Sequence, residues 1–128
     1  MERKKTYKLL TEVELEFMTA LWRLQEGSVR DILRNLAPHR KLAYTSAATI
    51  MRILDEKRFV KSRKEGRTFV YSPRLTRDQY QSRSLKSISE KLFDNTPASL
   101  VARLLEDEEL SEEALAEIRS LLDQRLGK

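Results

Sequence analysis

TSAATIMRILDEKRFVKSRKEGRTFVYSP, running from Thr45 to Pro73, changes its periodicity once, and that change decides the fold. In its first half Ala47, Ile50, Met51 and Leu54 recur at helical spacing, which predicts a helix over 45–57 with Thr45 as its N-cap. In its second half Phe59-Val60-Lys61-Ser62-Arg63 and Thr68-Phe69-Val70-Tyr71 partly alternate and are rich in β-branched and aromatic residues. Lys64-Glu65-Gly66-Arg67 joins them, so the pair reads as a β-hairpin with Gly66 in its turn.

The face of this helix opposite its apolar stripe carries Thr45, Thr49 and Arg52, flanked by Ser46 and Ala48. Short side chains let a backbone approach another surface, hydroxyls bond phosphates or base edges, and an Arg can read guanine bidentately. A Thr/Ser-rich helix that is merely exposed would show the same residues. At the hairpin tip Arg63, Lys64 and Arg67 cluster. Helix and tip together could touch DNA twice, although Lys and Arg are also common in solvated turns.

Upstream, Thr11 and Glu14 form a capping box that opens a helix over 12–24. Val13, Phe17, Ala20, Leu21 and Leu24 make one apolar face, and Leu15, Met18 and Trp22 a second, so this helix is expected to be buried on two sides. Ser28 and Asp31 open a short helix over 29–36, which Pro38 ends. His39, the only histidine, lies in a polar loop without the partners a metal site needs.

Downstream, Thr76 and Gln79 cap a helix over 77–93, Pro97 begins one over 97–106, and Ser111 caps one over 112–126. Their apolar faces include Leu85, Ile88 and Leu92, then Leu100 and Leu104, then Leu115, Ile118 and Leu122. Three short helices make a meagre core unless something covers them. A second copy of the chain would do so; folding back onto the front half as a monomer would also do so.

Charge divides the chain at the same place. Up to Lys91, 21 Lys and Arg stand against 11 Asp and Glu, a net of +10; from Leu92 on, 4 stand against 9, a net of −5. A basic front suits a polyanion, and an acidic rear suits protein. There are no cysteines, which excludes disulfides, thiolate metal sites and Cys nucleophiles. No apolar run approaches the roughly 20 residues that span a bilayer, and no apolar segment follows the basic MERKKTYKLL start. These features predict a soluble, cytoplasmic protein with no membrane partner.

The order helix, helix, helix, hairpin is that of a winged helix-turn-helix. The expected architecture is mainly α with a small β-hairpin: a winged-helix DNA-binding domain over 1–75 and a helical dimerisation domain over 76–128. The sequence also resembles the BlaI/MecI/CopY, or penicillinase-repressor-like, family of bacterial repressors. The resemblance rests on LTEVELEFMTALW (Leu10 to Trp22), SVRDIL (Ser28 to Leu33), LAYTSAATIMRILDEKRFV (Leu42 to Val60), KEGRTFVYSP (Lys64 to Pro73) and SLVARLLEDEELSEEALAEI (Ser99 to Ile118). It implies a homodimer on a palindromic double-stranded operator, held by the C-terminal helices, with the recognition helix over 45–57 and the wing over 63–67. It also implies a regulatory protease as a possible partner.

Three positions depart from the family pattern. Arg58 stands where a Gly is usual, at a cost of about 1 kcal/mol if its backbone is left-handed. Arg103-Leu104 stands where antibiotic-sensing members carry the cleaved Asn-Phe, and no C-terminal cysteines are present for copper. The expected function is operator binding and repression; the alternative is a winged-helix adaptor whose basic wing binds an acidic protein. With three glycines, one histidine and no nucleophile–base pair, metal cluster or phosphate loop, the sequence argues against an enzyme and calls for no cofactor.

Overall fold

A computed structural model describes residues 9–38, 40–107 and 109–128, so His39 lies outside the described residues. The elements are α1 (Glu12–Leu24), α2 (Val29–Arg34), α3 (Tyr44–Glu56), β1 (Val60–Glu65), β2 (Thr68–Pro73), α4 (Arg77–Leu92), α5 (Pro97–Asp107) and α6 (Glu112–Leu126). The chain forms two compact units that divide between Leu85 and Lys86.

Local chemistry sets most element ends. Thr11 Oγ1 accepts from the Glu14 N–H and Glu14 Oε1 accepts from the Thr11 N–H, the reciprocal box that starts α1. Ser28 and Asp31 do the same for α2, and Thr76 and Gln79 for α4. The Ser28 N–H and hydroxyl bonded to the Asp31 carboxylate hold its pKa below the ordinary value. α3 is the exception. Its N-cap is Ala43, with no side-chain cap bond, and Thr45 lies inside the first turn. Tyr44 extends the helix backward by one residue, so α3 starts without a side-chain cap.

The front unit, up to Leu85, is built around one core. Phe17, Met18, Ala20 and Leu21 of α1, Val29 and Ile32 of α2, and Ala47, Met51 and Leu54 of α3 are buried together with Phe59, Val60 and Leu75. Only part of α1's second apolar face joins in: Met18 is fully buried and Trp22 half-buried, but Leu15 is exposed. The Trp22 indole N–H donates to the Leu75 carbonyl at 3.0 Å.

β1 and β2 pair antiparallel with Glu65 opposite Thr68, leaving Gly66-Arg67 as a two-residue turn. Gly66 takes φ of +63° while Arg67 is not left-handed, the pattern of a type II′ turn. The hairpin is pinned to the α1–α2 connection by a bridge. Gly27 N–H donates to the Tyr71 carbonyl at 2.9 Å, and Tyr71 N–H to the Gly27 carbonyl at 2.8 Å. A Cβ on Gly27 would meet the Asp31 Cβ at 3.1 Å, so the close approach favours glycine there.

The division at Leu85 falls ten residues beyond the expected 75/76 boundary. Tyr80 is the reason. Its hydroxyl accepts from the Leu10 N–H at 2.8 Å, and its ring lies 5.8 Å from Trp22 and 6.0 Å from Phe59. The first turns of α4 therefore belong to the front unit. In the rear unit α5 and α6 bury no residue at all, and α4 buries only Ser87 and Ser89.

Candidate nucleic-acid interface

α3 presents Thr45, Ser46, Thr49 and Arg52 to solvent, as its sequence predicts, while Ala48 is half-buried against the core. The helix turns this way because Ala47, Met51 and Leu54 are fully buried on its other side. Thr49 Oγ1 donates to the Thr45 carbonyl at 3.0 Å, so its oxygen lone pairs remain available outward. Arg52 Nη1 donates to Glu56 Oε1 at 2.9 Å across one helical turn, with both side chains mostly exposed. Such a pair is weak and can open toward a stronger acceptor.

The hairpin does not present its basic residues as one cluster. Strand alternation puts Arg63 on one face, with Glu65, and Lys64 on the other, with Phe69. Arg63 is engaged by two carboxylates, those of Glu26 in the α1–α2 connection and Glu65. These contacts, Glu26 first, raise its guanidinium pKa further. Lys64 and Arg67 make no ion pair among the described residues.

Three residues that sequence reasoning passed over join the site. A small cleft of about 180 Å³ lies between the start of α2, the first turn of α3 and the hairpin tip, lined by Arg30, Tyr44, Arg67 and Phe69 among others. The Arg30 guanidinium stands 5.1 Å from the Tyr44 ring centroid. Tyr44 and Phe69 are each about half exposed, at 49% and 50%. The signal was present in part: Tyr44 is an aromatic residue just before a hydroxyl-rich helix start. Its pairing with Arg30 joins two helices and has no local signature. Nearby, burial, then the charge of Asp55 and the Tyr44 hydroxyl, push the Tyr71 phenol pKa upward.

Among the described residues no group of three or more His, Cys, Asp or Glu could hold a metal. The arrangement is a hydroxyl-bearing helix face with one Arg, beside a basic two-stranded tip, and it defines a winged helix-turn-helix of the DNA-binding class. The rest of the chain makes the assignment narrower. The sequence profile of the penicillinase repressor family matches residues 10–124, and the chain belongs to that family. The penicillinase repressor of Bacillus licheniformis is 25% identical over 119 residues, 93% of each chain. The methicillin resistance regulatory protein MecI of Staphylococcus aureus (strain Mu50 / ATCC 700699) is 24% identical over 121 residues, 94% of this chain and 98% of MecI. The solution structure of the DNA-binding domain of the repressor BlaI is similar with a TM-score of 0.49 and 25% identity, over 56% of this chain and 87% of that domain. Membership in a repressor family places the chain outside the enzymes.

Proposed function

We propose that this protein is a DNA-binding transcriptional repressor that acts as a homodimer on a palindromic operator. α3 enters the major groove, with Thr45, Ser46, Ala48, Thr49 and Arg52 toward base edges and the flanking phosphates. Lys64 and Arg67 meet the adjacent backbone, and Arg63 joins them once it leaves its carboxylates. The observation that carries the reading is the outer face of α3: short hydroxyl and methyl side chains and one exposed Arg, held outward by a fully buried opposite stripe. Work on operator DNA places the protein in the cytoplasm; no described helix is long and apolar enough to cross a membrane.

Two-fold pairing through Leu85, Ile88, Leu92, Leu100, Leu104, Leu115, Ile118 and Leu122 would set half-sites about one helical turn or a multiple of it apart. Selection of binding sites from random duplexes tests both halves of the proposal. A two-fold symmetric motif is expected, bound roughly a thousandfold tighter than random duplex. Equal binding to all duplexes, or none, would leave the adaptor reading in place. On the selected site Arg52→Ala should cost about 1–3 kcal/mol and relax discrimination at one base pair. Uniform weakening on every sequence would make Arg52 a phosphate contact instead.

A further inference from the structure

We infer that the front unit carries a binding site for a small planar organic anion, an aromatic carboxylate in chemical class. A hollow of about 590 Å³ opens between the C-terminal end of α1, the end of β2 and the first turns of α4. That volume falls within the range of small-molecule sites. Trp22, Pro73 and the buried Leu75 give it an apolar floor, and Arg23, Arg74 and Arg77 stand on its wall. Among the described residues no Asp or Glu lines it.

The absence of acid is the informative feature. Four other arginines of this unit pair with carboxylates: Arg34 with Asp31, Arg40 with Glu16, Arg52 with Glu56, Arg63 with Glu26. Around the hollow, Arg23 and Arg77 have no such partner among the described residues, and Arg74 uses its Nε on the Val60 carbonyl. Three arginines thus line one hollow with no acid beside them among the described residues. Arg77 is also the first residue of α4, the end of a helix where the dipole disfavours a cation. Arg23 suits the last turn of α1 and Arg74 is tied to Val60, but Arg77 has no evident role in the fold, whereas a bound carboxylate would engage these guanidiniums through planar bidentate forks.

Helix geometry separates this site from the candidate nucleic-acid interface. Thr19, Trp22 and Arg23 line the hollow and lie on the side of α1 opposite Phe17, Ala20 and Leu21, which pack with α3. The indole N–H of Trp22 is already bonded to Leu75, so the ring offers its face and not a donor. An aromatic acid would lay its ring on this floor and its carboxylate among the guanidiniums.

Trp22 is the only tryptophan, so its indole N–H gives a single assignable NMR signal in the full chain. Titration with 2-naphthoate should shift that signal saturably. Arg23→Ala and Arg77→Ala, both at exposed positions and expected to keep the wild-type melting curve, should each weaken binding about tenfold, one lost charged contact's worth. The neutral 2-naphthalenemethanol and inorganic phosphate should both bind at least about tenfold more weakly than 2-naphthoate, because each lacks half of the required chemistry. The proposal fails if no saturable shift occurs, if either control equals 2-naphthoate, or if both variants bind like wild type. It also fails if, without naphthoate, the two substitutions weaken duplex binding as much as they weaken naphthoate binding; the cluster would then be a phosphate contact. None of these outcomes depends on whether the chain represses transcription.

Discussion

At the scale of single residues, Arg58 shows how a side chain can sit against the preference of its own backbone. It occupies the position after the Lys57 C-cap of α3 with φ of +65°. Its N–H donates to the Asp55 carbonyl and the Phe59 N–H to the Leu54 carbonyl, at 3.0 and 2.9 Å, which together make a Schellman motif. Phe59 and Leu54, the hydrophobic pair that accompanies such a motif, are both buried. Glycine adopts this left-handed turn without strain, so Arg58→Gly should stabilise the chain by about 1 kcal/mol, read as a higher urea midpoint. No gain would mean that the Arg side chain makes good the strain. Glu14 is a different case, a carboxylate held inside the front unit. It is 6% exposed and accepts from Lys57 Nζ at 2.8 and 2.9 Å through its two oxygens, joining α1 to the end of α3. Burial pushes its carboxyl pKa up, but the bonds and charge of Lys57 and the Thr11 N–H outweigh burial and hold it below the ordinary 4.5. A carboxyl depressed on folding adds stability above its unfolded pKa and loses it as pH falls through the folded one. Glu14→Gln should therefore destabilise by about 1.5–3 kcal/mol at neutral pH, and the gap to wild type should narrow below about pH 4. A gap that holds constant with pH would show that the ion pair contributes nothing.

At the scale of elements, every helix and the hairpin were legible from periodicity and caps, with ends within two residues of expectation. α2 stops earliest, at Arg34 instead of Leu36. What could not be read was anything set by contacts between elements. The expected N-cap at Thr45 yielded to a helix start at Tyr44, and the first turns of α4 joined the front unit through Tyr80. The hairpin gives the sharpest instance. Sequence order groups Arg63, Lys64 and Arg67, but pleating splits them between two faces, and Glu26, remote in sequence, holds Arg63. If the hairpin meets DNA, Glu26 competes with phosphate for that guanidinium. Glu26→Gln should then raise affinity for every duplex alike, within about a factor of five, and steepen the salt dependence. An unchanged salt slope would remove Arg63 from the set of phosphate contacts. The pair is exposed on both sides, so folding stability should barely move.

At the scale of the whole molecule, apolar surface is unevenly spent. Thirteen large hydrophobic residues are exposed among the described ones, and nine of them lie from Leu85 onward. The front unit encloses its own core, whereas α5 and α6 enclose nothing. Exposed leucines in such density mark a surface awaiting a partner. A second copy of the same acidic rear region is the partner proposed, and burial of both faces would supply what three short helices lack. Leu122, 54% exposed on α6, tests this directly. Leu122→Asp places a charge where an apolar contact is proposed, at a position that is more than half exposed in the single chain and should tolerate it. Sedimentation should show dimer turning to monomer, with folding of the front unit intact by circular dichroism. Operator affinity should fall with it, since one recognition helix then binds without its tethered twin. A variant that still sediments as a dimer would move the interface to another face of α6, and a wild-type chain that sediments as a monomer would remove the two-fold operator with it.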